Sequence, residues 1–532
     1  MKNWRGNPWA ILLVLSLGFV MTLLDLSIVN IAIPDMVRDL GASLDQILWV
    51  VNAYTLALAV LVITAGRLGD LRGKKVIFIA GVAVFTLASL ACGLAQDPGQ
   101  LIAYRTVQGV GAAMLMPQTL SMIVDVFPEE KRGAALGVWG ATAGVSGVAG
   151  PTLGGLLVSR LDWRWIFFIN VPIGVLVIAG ALLVMPGAPR TVRHRFDVPG
   201  VILSSISLFC LAFGLIEGQK YSWNSAILAT LAAAVVVMAV FLVYERGQQD
   251  NEPLVPFSLF KDRGFTIMNF VGITVAFGIV GLLLPLTIYL QSVLGLSALR
   301  AGLVLLPMAA GTMISAGPAG VLAQRLGGKY ILMAGVAAFA GGLLWITLGA
   351  DVGNGAASVL APVFLIGLGA GCTFTPMTAE VMRNVPAGLS GAASGVNNAL
   401  RQVGSVLAGA VIGAVLQSRL ATSLHDQARQ RAGAIPPAYR ARFIHGFDHA
   451  GTLGTGGASA GVDRRIQETA AQVFGHGFID AMRPTVLVSV GVLAAGVIAC
   501  LFVRSVRGPA TNPHGLPISE DGFGAETVPQ QG

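Results

Sequence analysis

The sequence predicts an all-α integral membrane protein of fourteen spans, built as two six-helix bundles with a two-helix hairpin inserted between them. Three observations carry that prediction. Only 11% of the 532 residues are charged while 55% are hydrophobic, against about 25% charged in an ordinary soluble domain. The hydrophobic residues come in blocks of about 20, the length a helix needs to cross about 30 Å of hydrocarbon. The chain also repeats itself at a spacing that gives each half six spans. Soluble, secreted and collagen-like classes are excluded.

The apolar blocks fall at 10–33, 46–66, 76–95, 100–124, 133–158, 165–186, 198–217, 225–244, 265–290, 300–323, 330–350, 356–382, 391–417 and 484–503. The first, with Lys2 and Arg5 before it, is too long for a cleaved leader and reads as a span that also serves as an uncleaved signal. An even number of spans puts both termini on one side. The N-terminal tail, the loops from even to odd spans and the C-terminal tail hold 19 basic residues, and the short loops of opposite parity hold five. Lys and Arg accumulate in cytoplasmic loops, so both termini are expected in the cytoplasm. That bias also accounts for the net charge of +8, so no nucleic-acid partner is implied. The scarcity of Lys beside Arg, with abundant Ala, Gly and Val, suggests a GC-rich bacterial source and a cell-membrane location.

The segment 418–483 is then external. Its middle, Ala450 to Gly461, is rich in Gly, Ser and Thr and reads as flexible. After it, Ile466, Ala470, Val473, Phe474, Phe478 and Met482 recur at helical spacing, which predicts an amphipathic helix lying on the outer surface before the last span. The tail 507–532 is polar and Pro/Gly-rich, and is expected to be disordered.

The internal repeat organises the rest. Gly66-Arg-Leu-Gly-Asp70-Leu-Arg72-Gly73-Lys-Lys75 follows span two, and Gly320-Val-Leu-Ala-Gln324-Arg-Leu-Gly327-Gly-Lys329 follows span ten, 254 residues on. Gly109, Gly111, Pro128, Gly133, Ala134, Ala135 and Gly137 recur 258 residues later as Gly367, Gly369, Pro386, Gly391, Ala392, Ala393 and Gly395. Residues 1–186 are therefore one bundle, 187–263 the hairpin of spans seven and eight with its flanking loops, and 264–506 the second bundle. Both halves start on the same side, so they are parallel repeats, an architecture of transporters that rock one bundle against the other around a midplane site.

Few ionisable residues enter the spans. Asp25 lies late in span one, where a carboxylate costs about 2.5–3.5 kcal/mol on insertion scales. Desolvation raises its proton affinity, making it a candidate for proton coupling or substrate contact, against the plainer reading of a structural pair with an Arg of a neighbouring span. Arg105 in span four and Arg401 in span thirteen are equally costly and could pair, bind or snorkel. Glu217 and Glu380 fall at span ends, where solvation is the default. Span five carries Gly137, Gly140, Gly144, Gly147, Gly150 and Gly154 at steps of three or four, a stripe for close helix approach, and Pro151 permits a bend. In the loop Gly66–Lys75, Asp70 could sit at a helix N-terminus, whose free N–H groups favour an anion, and so latch the cytoplasmic side.

Other chemistry is missing from the sequence. There is no Walker A motif, no H-E-x-x-H and no G-x-S-x-G. The four cysteines lie in apolar blocks without metal-ligand spacing. No cofactor or metal is expected, the chain is not expected to be an enzyme, and the proton gradient is the expected energy source.

These residues resemble the major facilitator superfamily, and within it the fourteen-span drug/proton antiporters of EmrB/QacA type, over roughly residues 9–506. Gly66-R-L-G-D-L-R-G-K-K75 is similar to the superfamily's loop signature, so Gly66, Asp70, Arg72, Gly73 and Lys74 are candidates for the cytoplasmic gate. Leu24-D-L-S-I-V-N-I-A-I-Pro34 resembles the subfamily's first span, with Ser27 where Thr is usual, and Arg105-T-V-Q-G-V-G-A-A113 its fourth span, whose Arg the family links to proton transfer. The resemblance thus makes Asp25, Asn30, Arg105 and Gln108 the proton-coupling and substrate candidates. Trp163-R-W-I-F-F-I-N-V-P-I-Gly174 is typical of the fourteen-span group. Gly150, Pro151, Gly154 and Gly155 match the antiporter signature of span five, with Ser146 where that pattern has Gly. Asn397 and Arg401 are the second-half core candidates. Gln324 replaces the Asp of the repeated loop, so an Asp latch belongs to the first half alone.

The resemblance implies the major facilitator fold and export of amphiphilic, neutral or singly charged drugs or antibiotics against an inward flow of protons, with lipids as the surrounding partner. Arg72 is expected to pair with Asp125 or Glu129. Export of lipids or cell-envelope amphiphiles is the alternative that the same fold would serve; a membrane sensor or membrane enzyme finds no supporting residues.

Overall fold

The computed structural model describes residues 5–42, 44–186, 197–218, 221, 223–249, 253–296, 298–448 and 464–503. The predicted flexible stretch Ala450 to Gly461 and the tail 507–532 lie outside these. The first half holds α1 (Pro8–Leu40), α2 (Leu44–Arg72), α3 (Lys74–Gly93), α4 (Pro98–Val126), α5 (Glu129–Arg160) and α6 (Trp165–Val184). The inserted pair is α7 (Val198–Glu217) and α8 (Ser225–Gly247). The second half holds α9 (Arg263–Val293), α10 (Arg300–Ala323), α11 (Gly328–Gly349), α12 (Ala357–Met382), α13 (Ser390–Arg431) and α14 (Arg464–Leu501). Among the described residues thirteen helices are long and apolar enough to cross a membrane. The glycine-striped α5, 32 residues long, is the fourteenth.

Helix is the form that lets an apolar segment satisfy its own backbone in hydrocarbon, and polar caps mark where several of them begin. The Asn7 side chain accepts from Trp9 N at 3.0 Å ahead of Pro8. Asp97 accepts from Gln100 N at 2.9 Å ahead of Pro98, and Asn224 and Asp262 do the same for α8 and α9.

The repeat is visible in the packing. In the first half α4 packs on α2 and α3, and α1 on α5 and α6; in the second α12 packs on α10 and α11, and α9 on α13 and α14. A Cβ on Gly109 would lie 2.5 Å from Tyr54 O, and one on Gly367 2.1 Å from Met308 O. Likewise Gly111 and Gly369 each abut a phenylalanine backbone nitrogen, of Phe85 and Phe339, at 2.5 Å. Gly73 and Gly327 start α3 and α11 at φ 98° and 94°, a backbone that side chains disfavour. The halves meet along α2–α13 and α5–α10, two seams that the repeat exchanges: Gly395 presses on Ile63, and Gly137 on Ala316 and Gly317. The hairpin leans on the first seam through α7, which touches both α2 and α13.

Three expectations need correction. The helix of span thirteen does not stop with its apolar block near residue 417: α13 continues to Arg431, well past the length a bilayer needs. The amphipathic stretch after Gly461 does not lie on a membrane surface but is the first part of α14, continuous with the last span. Its apolar face is covered by protein, with Gly477 against Leu424, Gly475 against Val352, and Gln427 Nε2 donating to Asp480 at 2.8 Å. Glu217 is not solvated but buried, whereas Glu380 is half-buried and accepts from Arg383 at 2.9 Å.

Candidate functional site

Asp25 is fully buried on α1, about 26 Å along the helix from Pro8. Helix α4 enters from the opposite face and brings in Arg105, also fully buried, about 10 Å after Pro98. The two therefore meet nearer the face remote from the N-terminus. The Arg105 Nη1 donates to Asp25 Oδ2 and, at 2.7 Å, to Gln108 Oε1. Gln108 Nε2 in turn donates to Asp25 Oδ1 at 2.9 Å, and Arg105 Nε to the Val50 carbonyl at 3.0 Å. Asn170 Nδ2 reaches Asp25 at 3.4 Å and Ser89 Oγ at 3.0 Å. The guanidinium lies 4.4 Å from the Tyr54 ring centroid, and Cys92 Sγ donates to Gln108 at 3.7 Å.

Of the four candidates Asp25, Asn30, Arg105 and Gln108, the fold brings Asp25, Arg105 and Gln108 together, while the Asn30 side chain lies outside the described residues. Asn170, Ser89, Tyr54 and Cys92 were missed. Asn170 sits inside the Trp163–Gly174 motif, so a polar residue in an apolar motif was the available signal. A buried ion pair survives only when its remaining donors and acceptors are satisfied; protonating Asp25 would require Arg105 to change partners.

Two residues on from Asp25, Ser27 meets the glycine stripe: a Cβ on Gly150 would fall 1.8 Å from Ser27 Oγ. Gly140 of the same stripe faces Thr375 of α12. Helix α5 therefore touches both the helix carrying Asp25 and the second half. Gly154 is buried and Gly155 half-buried, and the Pro151 side chain lies outside the described residues. The buried Ser146 hydroxyl donates to Thr142 O at 2.7 Å, closing onto its own helix.

At the face holding the start of α1, Asp70 crosses the α2–α13 seam. It accepts from Gly391 N at 2.9 Å and from Ala392 N at 2.8 Å, two of the free N–H groups that open α13. Gly66 allows the approach, since its Cβ would lie 2.4 Å from Gly391 O. Lys74 Nζ donates to Asp125 at 2.5 Å and to Ser390 Oγ at 2.5 Å, and stands 3.7 Å from Asp70. Ser121 Oγ and Ser394 Oγ add bonds across the seam, to Ser390 Oγ at 3.0 Å and Pro117 O at 2.9 Å. The expected Arg72–Asp125 pair is corrected: Arg72 ends α2 pointing into solvent, and after the turn at Gly73 it is Lys74 that faces Asp125. The Glu129 side chain lies outside the described residues.

In the second half Asn397 Nδ2 donates to Asn269 Oδ1 at 3.0 Å, both nearly fully buried. Arg401 lies with its guanidinium carbon 5.2 Å from the Phe374 ring centroid. At the far end of α1, Trp163 Nε1 and Arg164 Nη1 donate to Asp39 at 3.0 and 2.6 Å. The Trp163 hydrogen bond first, and Arg164 second, hold the Asp39 carboxyl below the usual carboxylate range. Among the described residues no group of three His, Cys, Asp or Glu is placed to hold a metal ion.

A twofold-repeated helical bundle with ionic groups locked inside one half and a polar latch between halves defines a membrane transporter. The family model of the Major Facilitator Superfamily matches residues 15–409, and the chain belongs to that family. It is a transport protein, not an enzyme. It is 34% identical over 517 residues, 97% of its length and 95% of the relative's, to the tetracenomycin C resistance and export protein of Streptomyces glaucescens. It is 36% identical over 415 residues, 78% of its length and 76% of the relative's, to the multidrug resistance protein Stp of Mycobacterium tuberculosis. Its fold is similar to that of the human organic anion transporter MFSD10, with TM-score 0.59 and 11% identity over 93% of this chain and 99% of that one, a likeness of fold alone.

Proposed function

We propose that the chain exports amphiphilic drugs or antibiotics across the cell membrane in exchange for protons, by alternating access. The single observation that carries this reading is the fully buried Asp25, bonded to Arg105 and Gln108 on a neighbouring helix. A carboxylate so placed cannot take a proton without releasing an arginine that itself must find a new partner, so proton binding and helix movement are one event. The export and resistance names of the relatives support drugs or antibiotics as cargo.

Residues 1–186 and 264–506 are the rocking bundles, and 187–263 the hairpin steadying one seam. The basic-residue bias favours a cytoplasmic face at the start of α1. The Asp70 latch then holds that side shut, and Asp25, nearer the other face, takes its proton from outside. Release of that proton toward the cytoplasm restores the Asp25–Arg105 pair. The proton gradient supplies the energy, and no cofactor takes part.

The test is ethidium efflux from cells expressing the wild type or Asp25→Asn, with and without a protonophore. Energy-dependent efflux that both treatments abolish is expected. Undiminished efflux by Asp25→Asn would remove Asp25 from the coupling step. No drug efflux from well-expressed wild type, with an altered surface lipid profile on deletion, would replace drugs by cell-envelope amphiphiles as the cargo.

A further inference from the structure

Away from the span ends, three charged side chains lie within the spans: Asp25, Arg105 and Arg401. The first two neutralise each other, and both Asp25 oxygens are engaged. Arg401 has no ion pair or hydrogen bond among the described residues. It lies eleven residues into α13, about 16 Å from the helix start and so near the middle of a bilayer of about 30 Å.

Its surroundings are those of a binding wall. The stem passes Gly272 of α9, whose Cβ would be 3.4 Å from Arg401 Cγ, and the guanidinium stands over the ring of Phe374 on α12. Arg401 and Phe374 are each only partly buried, so both retain open surface. The next residue, Thr375, lies at the seam with the first half, 3.4 Å from where a Gly140 Cβ would be, and its buried hydroxyl has no partner among the described residues. The repeat offers no counterpart: 258 residues earlier stands Ala143, and the residues matching Asp25 and Arg105 are Ile279 and Val363. Charge in the second half is therefore one cation, beside one aromatic ring, at membrane mid-depth.

The geometry points to Arg401 and Phe374 as a binding site for an organic anion, an aromatic amphiphile with a carboxylate, sulfonate or phenolate beside its ring. This rests on the export reading and names the substrate class. The anion completes the guanidinium's hydrogen bonding while the ring stacks beside Phe374. A cationic drug such as ethidium finds no free carboxylate to pair with, because Asp25 is already engaged, and is the weaker-bound cargo. An anion leaving while a proton enters moves positive charge inward twice over, so the membrane potential and the proton gradient both drive export.

The experiment compares two xanthene dyes of opposite charge, fluorescein and rhodamine 123, binding to the full-length protein in phosphatidylcholine nanodiscs, read by fluorescence polarisation. Fluorescein is expected to bind at least tenfold more tightly. Arg401→Gln should bring the ratio of affinities to about one, and Arg401→Lys should restore most of it. A wild-type ratio below ten overturns the proposal without any variant, as does a preference that survives Arg401→Gln. Displacement of fluorescein by added phosphatidylglycerol would make a lipid headgroup the occupant and overturn it too. Intact fluorescein binding without energy-dependent efflux of either dye would sink the export reading and leave the anion site standing.

Discussion

Asp70 and Gly391 lie 321 residues apart in sequence and 2.9 Å apart in space, carboxylate oxygen to backbone nitrogen. With the second bond, to Ala392, an acid of the first half caps a helix of the second. Charge-assisted bonds of this kind contribute about 1.5–3 kcal/mol. Asp70→Asn keeps one acceptor and loses the charge. The latched state should lose about tenfold or more in population, seen as a longer distance between spin labels at the exposed positions 72 and 388 in a cysteine-free background. Unchanged distances and wild-type transport would remove Asp70 from the gate.

Arg105→Gln leaves the buried Asp25 uncompensated and should cost about 3–5 kcal/mol. Adding Asp25→Asn removes the stranded charge, so the double variant should melt at a higher temperature than Arg105→Gln alone. Neither should drive uphill efflux. Equal melting temperatures for the single and double variants would show that the pair is not electrostatically closed.

Gly150→Ala would place a Cβ 1.8 Å from Ser27 Oγ, an overpacking that costs about 1–3 kcal/mol. Ser27→Ala should recover part of the loss, since the Ser27 Cβ, at 2.8 Å, remains in the way. Thermal unfolding in detergent measures both, and independent, additive effects would contradict the contact.

Asn269→Leu strands the Asn397 amide in a dry interface and should destabilise by about 1–3 kcal/mol. Asn269→Leu with Asn397→Leu should be closer to wild type than Asn269→Leu alone. The proton dependence of efflux should be unaltered in the double variant, because the Asp25 network lies in the other half.

Asp39 gives a pH dependence of defined sign. Its carboxyl is held below the ordinary range by Trp163 and then Arg164. The stability it contributes is present above the unfolded-state value of about 3.9 and is lost as pH falls through the lower folded value. The pair is solvent-exposed and screened, so the effect is small. Asp39→Asn should flatten the fall in melting temperature below about pH 4, and an unchanged slope would assign that acid sensitivity elsewhere.

The helices that cross and the repeat that arranges them were legible because each is a pattern along one chain. Asp25 and Arg105 stood out by their cost in hydrocarbon. Partners across helices were harder. Lys74, not Arg72, meets Asp125 because the positive-φ turn at Gly73 separates the last residue of α2 from the first of α3 and aims them differently. Asn170 and Cys92 join the Asp25 network through the register of α6 and α3 against α4, which no spacing within one segment encodes. The apolar stripe from Ile466 to Met482 was legible as a stripe, but lipid and protein cover such a face equally well. Only the extension of α13 to Arg431 decides between them.

That extension makes α13 a pointer. From the depth of Arg401 to Arg431 it projects about 45 Å, far beyond the bilayer, braced by the start of α14. A tilt of the second bundle by about 10° would sweep its tip through about 8 Å, several times the shift at the latch end. The transport cycle should therefore be readable at the face opposite the start of α1, and a rigid binder clamped to the tip should halt it without ever touching the Asp25 network.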